Sequence, residues 1–187
     1  MSSRFDVLDT PILGLKLVQR KPIADSRGHL ERLFCADDLQ MLTAGKHIVQ
    51  INHTLTAKRG TVRGMHFQYP PYAESKFVSC LCGAVFDTAV DLRRDSPTFL
   101  QWHAEILSAE NHRTMVIPEG FAHGFQTLTE DCELLYFHTA AYQPAAEGAV
   151  NARDPVLAIR WPQVITDLSG RDAGHPMLTS DFGGLAI

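Results

Sequence analysis

Apolar and polar residues alternate with a period of two through much of the chain. The clearest example runs from Ala84 to Leu92, where Phe86, Thr88, Val90 and Leu92 interleave with Val85, Asp87, Ala89 and Asp91. That period places alternate side chains on opposite faces of a strand, so one face of a ribbon can meet a core. A second run, Lys76 to Cys82, precedes it, and Gly83 between them reads as a tight turn. Further β-like runs are Gly14 to Gln19, His47 to Thr54, Trp102 to Leu107, Thr114 to Ile117 and Glu133 to Thr139. Pro118-Glu119-Gly120 and Asp95-Ser96-Pro97 read as turns. Helical signals are few: Ala36 to Leu42, with Asp37 and Asp38 suited to an N-terminal dipole, and single turns at Asp154 to Ala158 and Ser169 to Asp172. Many short strands with turns between them predict an all-β sandwich or barrel. The stretch after Trp161-Pro162 is looser and is expected to wrap over it.

Length and composition narrow the picture further. At 187 residues, the chain can bury a sizeable core as one domain. A net charge of -4 argues against a general nucleic-acid binder but leaves room for a small anionic ligand held by local Arg and His residues. Met1 to Asp9 is polar and does not read as a secretion signal, and no run reaches the ~18 apolar residues of a membrane span. The expected location is the cytoplasm, away from membranes. The four cysteines (Cys35, Cys80, Cys82, Cys132) match no zinc-ribbon or CxxC spacing, and all read as small buried or half-buried apolar residues. Cys80 and Cys82, two apart in a strand, are expected on one face.

Chemistry-bearing residues concentrate in three places: Arg63-Gly64-Met65-His66-Phe67-Gln68, Pro118 to Phe125 with His123, and Tyr136. Lys76 follows His66 by ten residues, with Pro70-Pro71 between them to turn the chain back. Singly, a strand histidine is more often a hydrogen-bonded structural group, a lysine is usually solvated, and a tyrosine in an apolar strand is usually core. Together they supply a base, cations and a phenol within a short stretch. A metal reading needs three ligands, and His66, Glu74 and His123 are the available set; Gln68 is a poor ligand beside imidazole or carboxylate.

From about Gly14 to Pro176 the chain resembles the dTDP-4-dehydrorhamnose 3,5-epimerases. The resemblance rests on Asp25-Ser26-Arg27-Gly28, Gln50-Ile51-Asn52-His53, Arg63 to Gln68, Asp87 to Arg93, Ser96-Pro97-Thr98-Phe99, Ile117 to Phe125, Asp154-Pro155 and Ile159-Arg160-Trp161-Pro162. It implies a jelly-roll barrel (a double-stranded β-helix, cupin-like) spanning residues 1–187 with a few short helices. It implies a homodimer in which N-terminal strands are exchanged. It implies an enzyme, an isomerase without metal or cofactor. Its substrate would be a nucleoside-diphosphate 4-keto-6-deoxy sugar, epimerised at C3, C5 or both.

By this resemblance His66 is the base that removes a proton beside the ketone and Asp172 its carboxylate partner. Tyr136 is the acid on the opposite face, and Lys76 the cation near the C4 oxygen. Arg63 and His123 are further substrate contacts, and Arg27, Arg32, Gln50, Asn52, Tyr142, Glu147 and Arg171 form the nucleotide and diphosphate shell. The chain departs from the family pattern at Arg27-Gly28-His29-Leu30-Glu31-Arg32, where Arg32 stands in place of a glutamate that helps hold the nucleotide. It also departs at Tyr136-Phe137, where Tyr-Lys is usual, and at Gly148 to Arg153.

The chemistry is consistent with such roles. A proton α to a ketone becomes removable only if the forming enolate is stabilised by a nearby cation in a water-poor site. A neutral imidazole oriented by a carboxylate suits the base. Inversion needs a second group on the other face. Two other classes compete at this point: a metal-dependent cupin isomerase or oxygenase, and a module that binds a sugar nucleotide without chemistry. Activity that survives chelation removes the first, and proton exchange removes the second.

Overall fold

In the computed structural model, which describes residues 4–187, the alternating runs become strands of two facing sheets. The first three residues of the polar Met1–Asp9 stretch lie outside the described residues. In chain order the strands are β1 (Phe5–Asp9), β2 (Lys16–Arg20), β3 (Ile23–Asp25), β4 (Gly28–Leu30), β5 (Gln50–Thr56), β6 (Thr61–Gln68) and β7 (Lys76–Cys82). They continue as β8 (Ala84–Asp91), β9 (Trp102–Ser108), β10 (Arg113–Ile117), β11 (Phe121–Thr127), β12 (Cys132–His138), β13 (Glu147–Ala149) and β14 (Asp167–Leu168). One sheet has the order β1-β2-β10-β7-β12-β5. The other runs β13-β6-β11-β8-β9, with β14 added parallel to β6. A separate hairpin joins β3 and β4. This is the all-β jelly-roll barrel that the resemblance implies. Two helical pieces, α1 (Ala36–Leu39, continued as a 3-10 turn through Leu42) and α2 (Gly170–Ala173), fall where helix and turn signals were read.

The pairing of β7 and β8 differs from the sequence expectation. They do not form a ribbon: β7 pairs with β10 and β12, whereas β8 pairs with β11 and β9. Gly83, at φ 72°, passes the chain from one sheet to the other, and a Cβ there would sit 2.4 Å from Thr129 Oγ1. Burial is nearly continuous along β7, β8 and β11 instead of alternating, because these strands are covered on both faces. Val85, Ala89, Val78, Leu134, Phe121 and Phe125 fill the space between the sheets. Val90, Leu92 and Ala122 face outward onto Leu157, Leu185, Trp161 and Phe182 of the C-terminal segment. Phe77, Val116 and Phe137 are capped by Leu39, Phe34 and Leu42 around α1. Each fully buried Val, Leu, Ile, Phe or Met side chain among them contributes roughly 1.5–3 kcal/mol.

The cysteine reading needs one correction. Cys80 and Cys132 are buried and Cys35 is half-buried, but Cys82 is exposed. Glu133 of β12 pairs with Cys82 and Leu134 with Cys80, so Leu81 is an extra residue that breaks the alternation. Cys80 and Cys82 therefore part company. The C-terminal segment is held at its end too: Leu185 donates its N–H to Leu92 and accepts one from Arg94.

Candidate active site

A second bulge shapes the site. On β6, Arg63 pairs with Phe125 and His66 with His123, so Gly64 and Met65 together oppose Gly124. The extra residue lets Arg63 and His66, three apart, both line the cavity between the sheets. The two backbones approach closely there: a Cβ on Gly64 (φ 136°) would lie 2.6 Å from the Gly124 Cα. This explains why a glycine accompanies the histidine in each motif.

Eleven of the thirteen site residues read from the sequence line one cavity of about 450 Å3: His66, Tyr136, Asp172, Lys76, Gln50, Asn52, Arg63, His123, Tyr142, Glu147 and Arg171. Arg27 and Arg32 do not line it. Arg27 is bound to Asp25 at the tip of the β3–β4 hairpin, and Arg32 to Asp38.

His66 and Tyr136 rise from different sheets, β6 and β12, and so reach the cavity from facing walls. Asp172 reaches His66 because β14 joins β6 through Asp167–Thr61 and Leu168–Val62, laying α2 beside it. Ser169 caps α2 by accepting the Asp172 N–H at 3.0 Å. His66 Nε2 lies 2.9 Å from Asp172 Oδ1, and the Gly64 N–H donates to Asp172 Oδ2 at 3.3 Å. Burial pushes the Asp172 carboxyl up, but the His66 hydrogen bond and charge, with smaller help from Gly64 and His175, hold it below the usual range. An ionised carboxylate only accepts. The His66 proton therefore sits on Nε2, leaving a lone pair on Nδ1.

Tyr136 is buried, edge-on to His123 with ring centroids 6.0 Å apart. Burial, and after it the Asp87 charge, push its phenol well above the ordinary range. It stays protonated and can donate. His123 Nε2 is 2.8 Å from Asp87 Oδ1.

Lys76 begins a chain of polar contacts among residues that line the cavity. Its Nζ is 3.2 Å from Glu74 Oε1, and Glu74 Oε2 is 2.7 Å from His138 Nδ1. His138 Nε2 meets Asn52 Nδ2 at 3.4 Å, Asn52 Oδ1 accepts from Gln50 at 3.1 Å, and Gln50 Oε1 accepts the Tyr142 N–H at 2.9 Å. Burial raises the Glu74 carboxyl, but His138 and Lys76 more than offset it and hold it below the usual range. At the other end, the Tyr142 hydroxyl donates to Glu147 at 2.8 Å and Arg171 pairs with the same carboxylate.

The metal set read from the sequence is not assembled. The Glu74 carboxylate is taken by Lys76 and His138, and His123 by Asp87. Among the described residues, the His/Asp/Glu/Cys group whose ligand atoms converge is His66, Asp172 and His175. Sequence reasoning also missed His138, Asp87 and His175. For His138 a signal existed, since it lies two residues beyond Tyr136 on one strand.

Comparison with known proteins gives this geometry a family. The sequence profile described as dTDP-4-dehydrorhamnose 3,5-epimerase matches residues 9–180. The chain belongs to the dTDP-4-dehydrorhamnose 3,5-epimerase family. It is 42% identical over 174 residues to the dTDP-4-dehydrorhamnose 3,5-epimerase of Salmonella typhimurium, covering 92% of this chain and 94% of that one. Its structure resembles the Legionella pneumophila epimerase in complex with dTDP-4-keto-L-rhamnose (TM-score 0.89, 38% identity, 98% of each chain covered). It also resembles the Bacillus anthracis epimerase with TDP and PPi bound (TM-score 0.89, 38% identity, 93% of this chain and 99% of that chain). As a member of this family the chain is an isomerase, and its cavity has a mostly buried end and an open, charged mouth.

Proposed function

We propose that the protein inverts C3 and C5 of a dTDP-linked 4-keto-6-deoxyhexose by acid–base proton transfer, with no metal or organic cofactor. The observation that carries this reading is the placement of His66, backed by Asp172, and protonated Tyr136 on facing walls of one cavity. His66 Nδ1 takes a proton from the carbon beside the C4 ketone. The electron pair moves onto the C4 oxygen, and the Lys76 ammonium, in a low-dielectric site, stabilises that enolate as it forms. Tyr136 then delivers its phenolic proton to the opposite face. His66 returns its proton to solvent and the phenolate regains one, so the enzyme ends unchanged. C3 and C5 both flank the ketone, so one base and one acid serve both positions in turn.

The mouth suits the nucleotide. Arg171 and Arg63 supply cations for the diphosphate, and Tyr142, Gln50 and Asn52 offer an aromatic face and amides. The nucleotide names in the Legionella and Bacillus structures support thymidine. The working unit is a homodimer. Its support is the unpaired edge of β5, with Ile51 and Leu55 exposed, and the β3–β4 hairpin, which holds Ile23, Leu30 and Arg27 out to solvent. In that unit Arg27 and Arg32 reach the neighbour's nucleotide. No helix among the described residues is long and apolar enough to cross a membrane, and the cytoplasm is the proposed location.

The test is to incubate the protein with dTDP-4-keto-6-deoxyglucose in heavy water and follow the C3 and C5 protons by NMR. Loss of both signals, absent in a folded His66→Asn variant, is the expected result. Exchange by that variant at the wild-type rate would remove His66 as the base. Exchange at one carbon only would reduce the activity to a single-site epimerase.

A further inference from the structure

His175, half-buried beside the cavity rather than in its lining, differs from the buried histidines that do line it. His123 and His138 each meet a carboxylate in an aligned hydrogen bond. The Nε2 of His175 is buried and 3.2 Å from Asp172 Oδ1, yet it has no aligned hydrogen-bond partner. An orphaned buried nitrogen is costly to keep, and a cation would satisfy it.

The geometry around it is that of a three-ligand metal site. His66 Nε2 and His175 Nε2 approach the same Asp172 oxygen, at 2.9 and 3.2 Å, and the three ligand atoms lie within 4.8 Å of one another. The two imidazoles are edge to face, with centroids 5.4 Å apart and planes at 88°. A tetrahedral ion about 2.0–2.1 Å from each ligand atom would set those atoms roughly 3.3 Å apart and the ring centroids about 5 Å apart. Two imidazoles and a carboxylate suit a zinc-like dication and leave a coordination position for water or a substrate oxygen.

We propose that His66, Asp172 and His175 bind a borderline transition-metal dication such as Zn2+, and that its binding switches the epimerase off. In the free dyad, His66 carries its proton on Nε2 and presents the Nδ1 lone pair. A neutral imidazole that ligates through Nε2 must hold its proton on Nδ1. Metal entry therefore moves the His66 proton from Nε2 to Nδ1, on the nitrogen that must accept the substrate proton, and takes Asp172 away as its partner. Metal and catalysis exclude each other. The switch rests on the proposed role of His66; the metal site does not.

Two measurements on the full-length, chelator-treated protein test this. Calorimetric titration with ZnCl2 is expected to give one site per chain in the micromolar range, weakened at least tenfold in both His175→Ala and Asp172→Asn. Titration with Co2+ is expected to give the visible bands of a low-coordinate nitrogen/oxygen site, lost in His175→Ala, a change that a merely structural role would not produce. Absence of binding to the wild-type protein, or wild-type affinity retained in either variant, overturns the site. Saturating Zn2+ is expected to stop proton exchange and a chelator to restore it; exchange that continues at saturation overturns the switch. If the metal-free protein exchanges no proton at all, the catalytic reading has failed, and the titrations still decide the site.

Discussion

At the closed end of the cavity, Tyr136, His123, Lys76 and His138 are each at most 9% exposed. At the mouth, the Arg171 side chain is 57% exposed and Tyr142 is 50% exposed. Both ends use charged and aromatic groups, but water treats them differently. In the closed end little water competes, His123, Lys76 and His138 each meet a fixed carboxylate, and a developing charge meets a pre-set field. At the mouth the Arg171–Glu147 pair is screened and exchanges readily with solvent. The closed end can therefore set the rate, and the mouth can set only how much substrate is held. This division matches a substrate whose reactive part is the small sugar and whose handle is the charged nucleotide.

The division can be broken experimentally. With Tyr136 as the proposed acid and His66 as the proposed base, inversion in Tyr136→Phe should fall by about 10²–10⁴-fold, while solvent deuterium still enters the starting sugar. Equal loss of inversion and deuterium entry would mean that Tyr136 also governs proton removal. Glu74→Gln next loosens Lys76 and His138. Its kcat should drop about tenfold with KM nearly unchanged, because charge-assisted hydrogen bonds of this kind contribute roughly 1.5–3 kcal/mol. Arg171→Ala should raise KM by roughly threefold to fivefold with kcat retained, and the difference should shrink in high salt. A larger kcat loss in Arg171→Ala than in Glu74→Gln would erase the distinction between the two ends.

The smallest effect is on stability against acid. Glu74 and Asp172 are both held below their ordinary range in the folded protein. Such groups contribute stability that is fully present above the unfolded carboxylate pKa of about 4 and is lost as pH falls through the lower folded value. Thermal melts should thus be level above about pH 5 and decline toward pH 3, and Glu74→Gln should flatten part of that decline. An unchanged slope in the variant would show that Glu74 is not titrating in that window.

Much of this arrangement was legible in the residues. The period of two located most of the strands, and the paired motifs around His66 and His123 turned out to be neighbours across one ladder. What stayed hidden was whatever depends on pairing between distant strands. Lys76–Cys82 and Ala84–Leu92 look like a hairpin because adjacent alternating runs usually are one; Gly83 instead carries the chain between sheets, and no local signal distinguishes the two. A bulge is equally silent, so Cys82 looked inward and the shared direction of Arg63 and His66 was not apparent. Glu74 entered the sequence reading only as a member of the set that the competing metal reading would need, because its engagement by Lys76 and by His138, 64 residues away, is a tertiary fact. Arg27 and Arg32 fall outside the cavity of their own chain.

The thin β14–β6 junction has a consequence for how the protein becomes active. His66 and Asp172 are 106 residues apart, and strand pairing joins the segment carrying Asp172 to the sheet at only two residues, the rest of its hold coming from loop hydrogen bonds and apolar cover. Contacts of such long sequence separation form late, after the loop entropy has been overcome by the rest of the fold. The barrel can therefore be complete while the imidazole still lacks its carboxylate. Turnover in this enzyme would report on the docking of its last segment, so proteolytic nicking between the barrel and α2 should silence it before any melting of the sheets becomes visible.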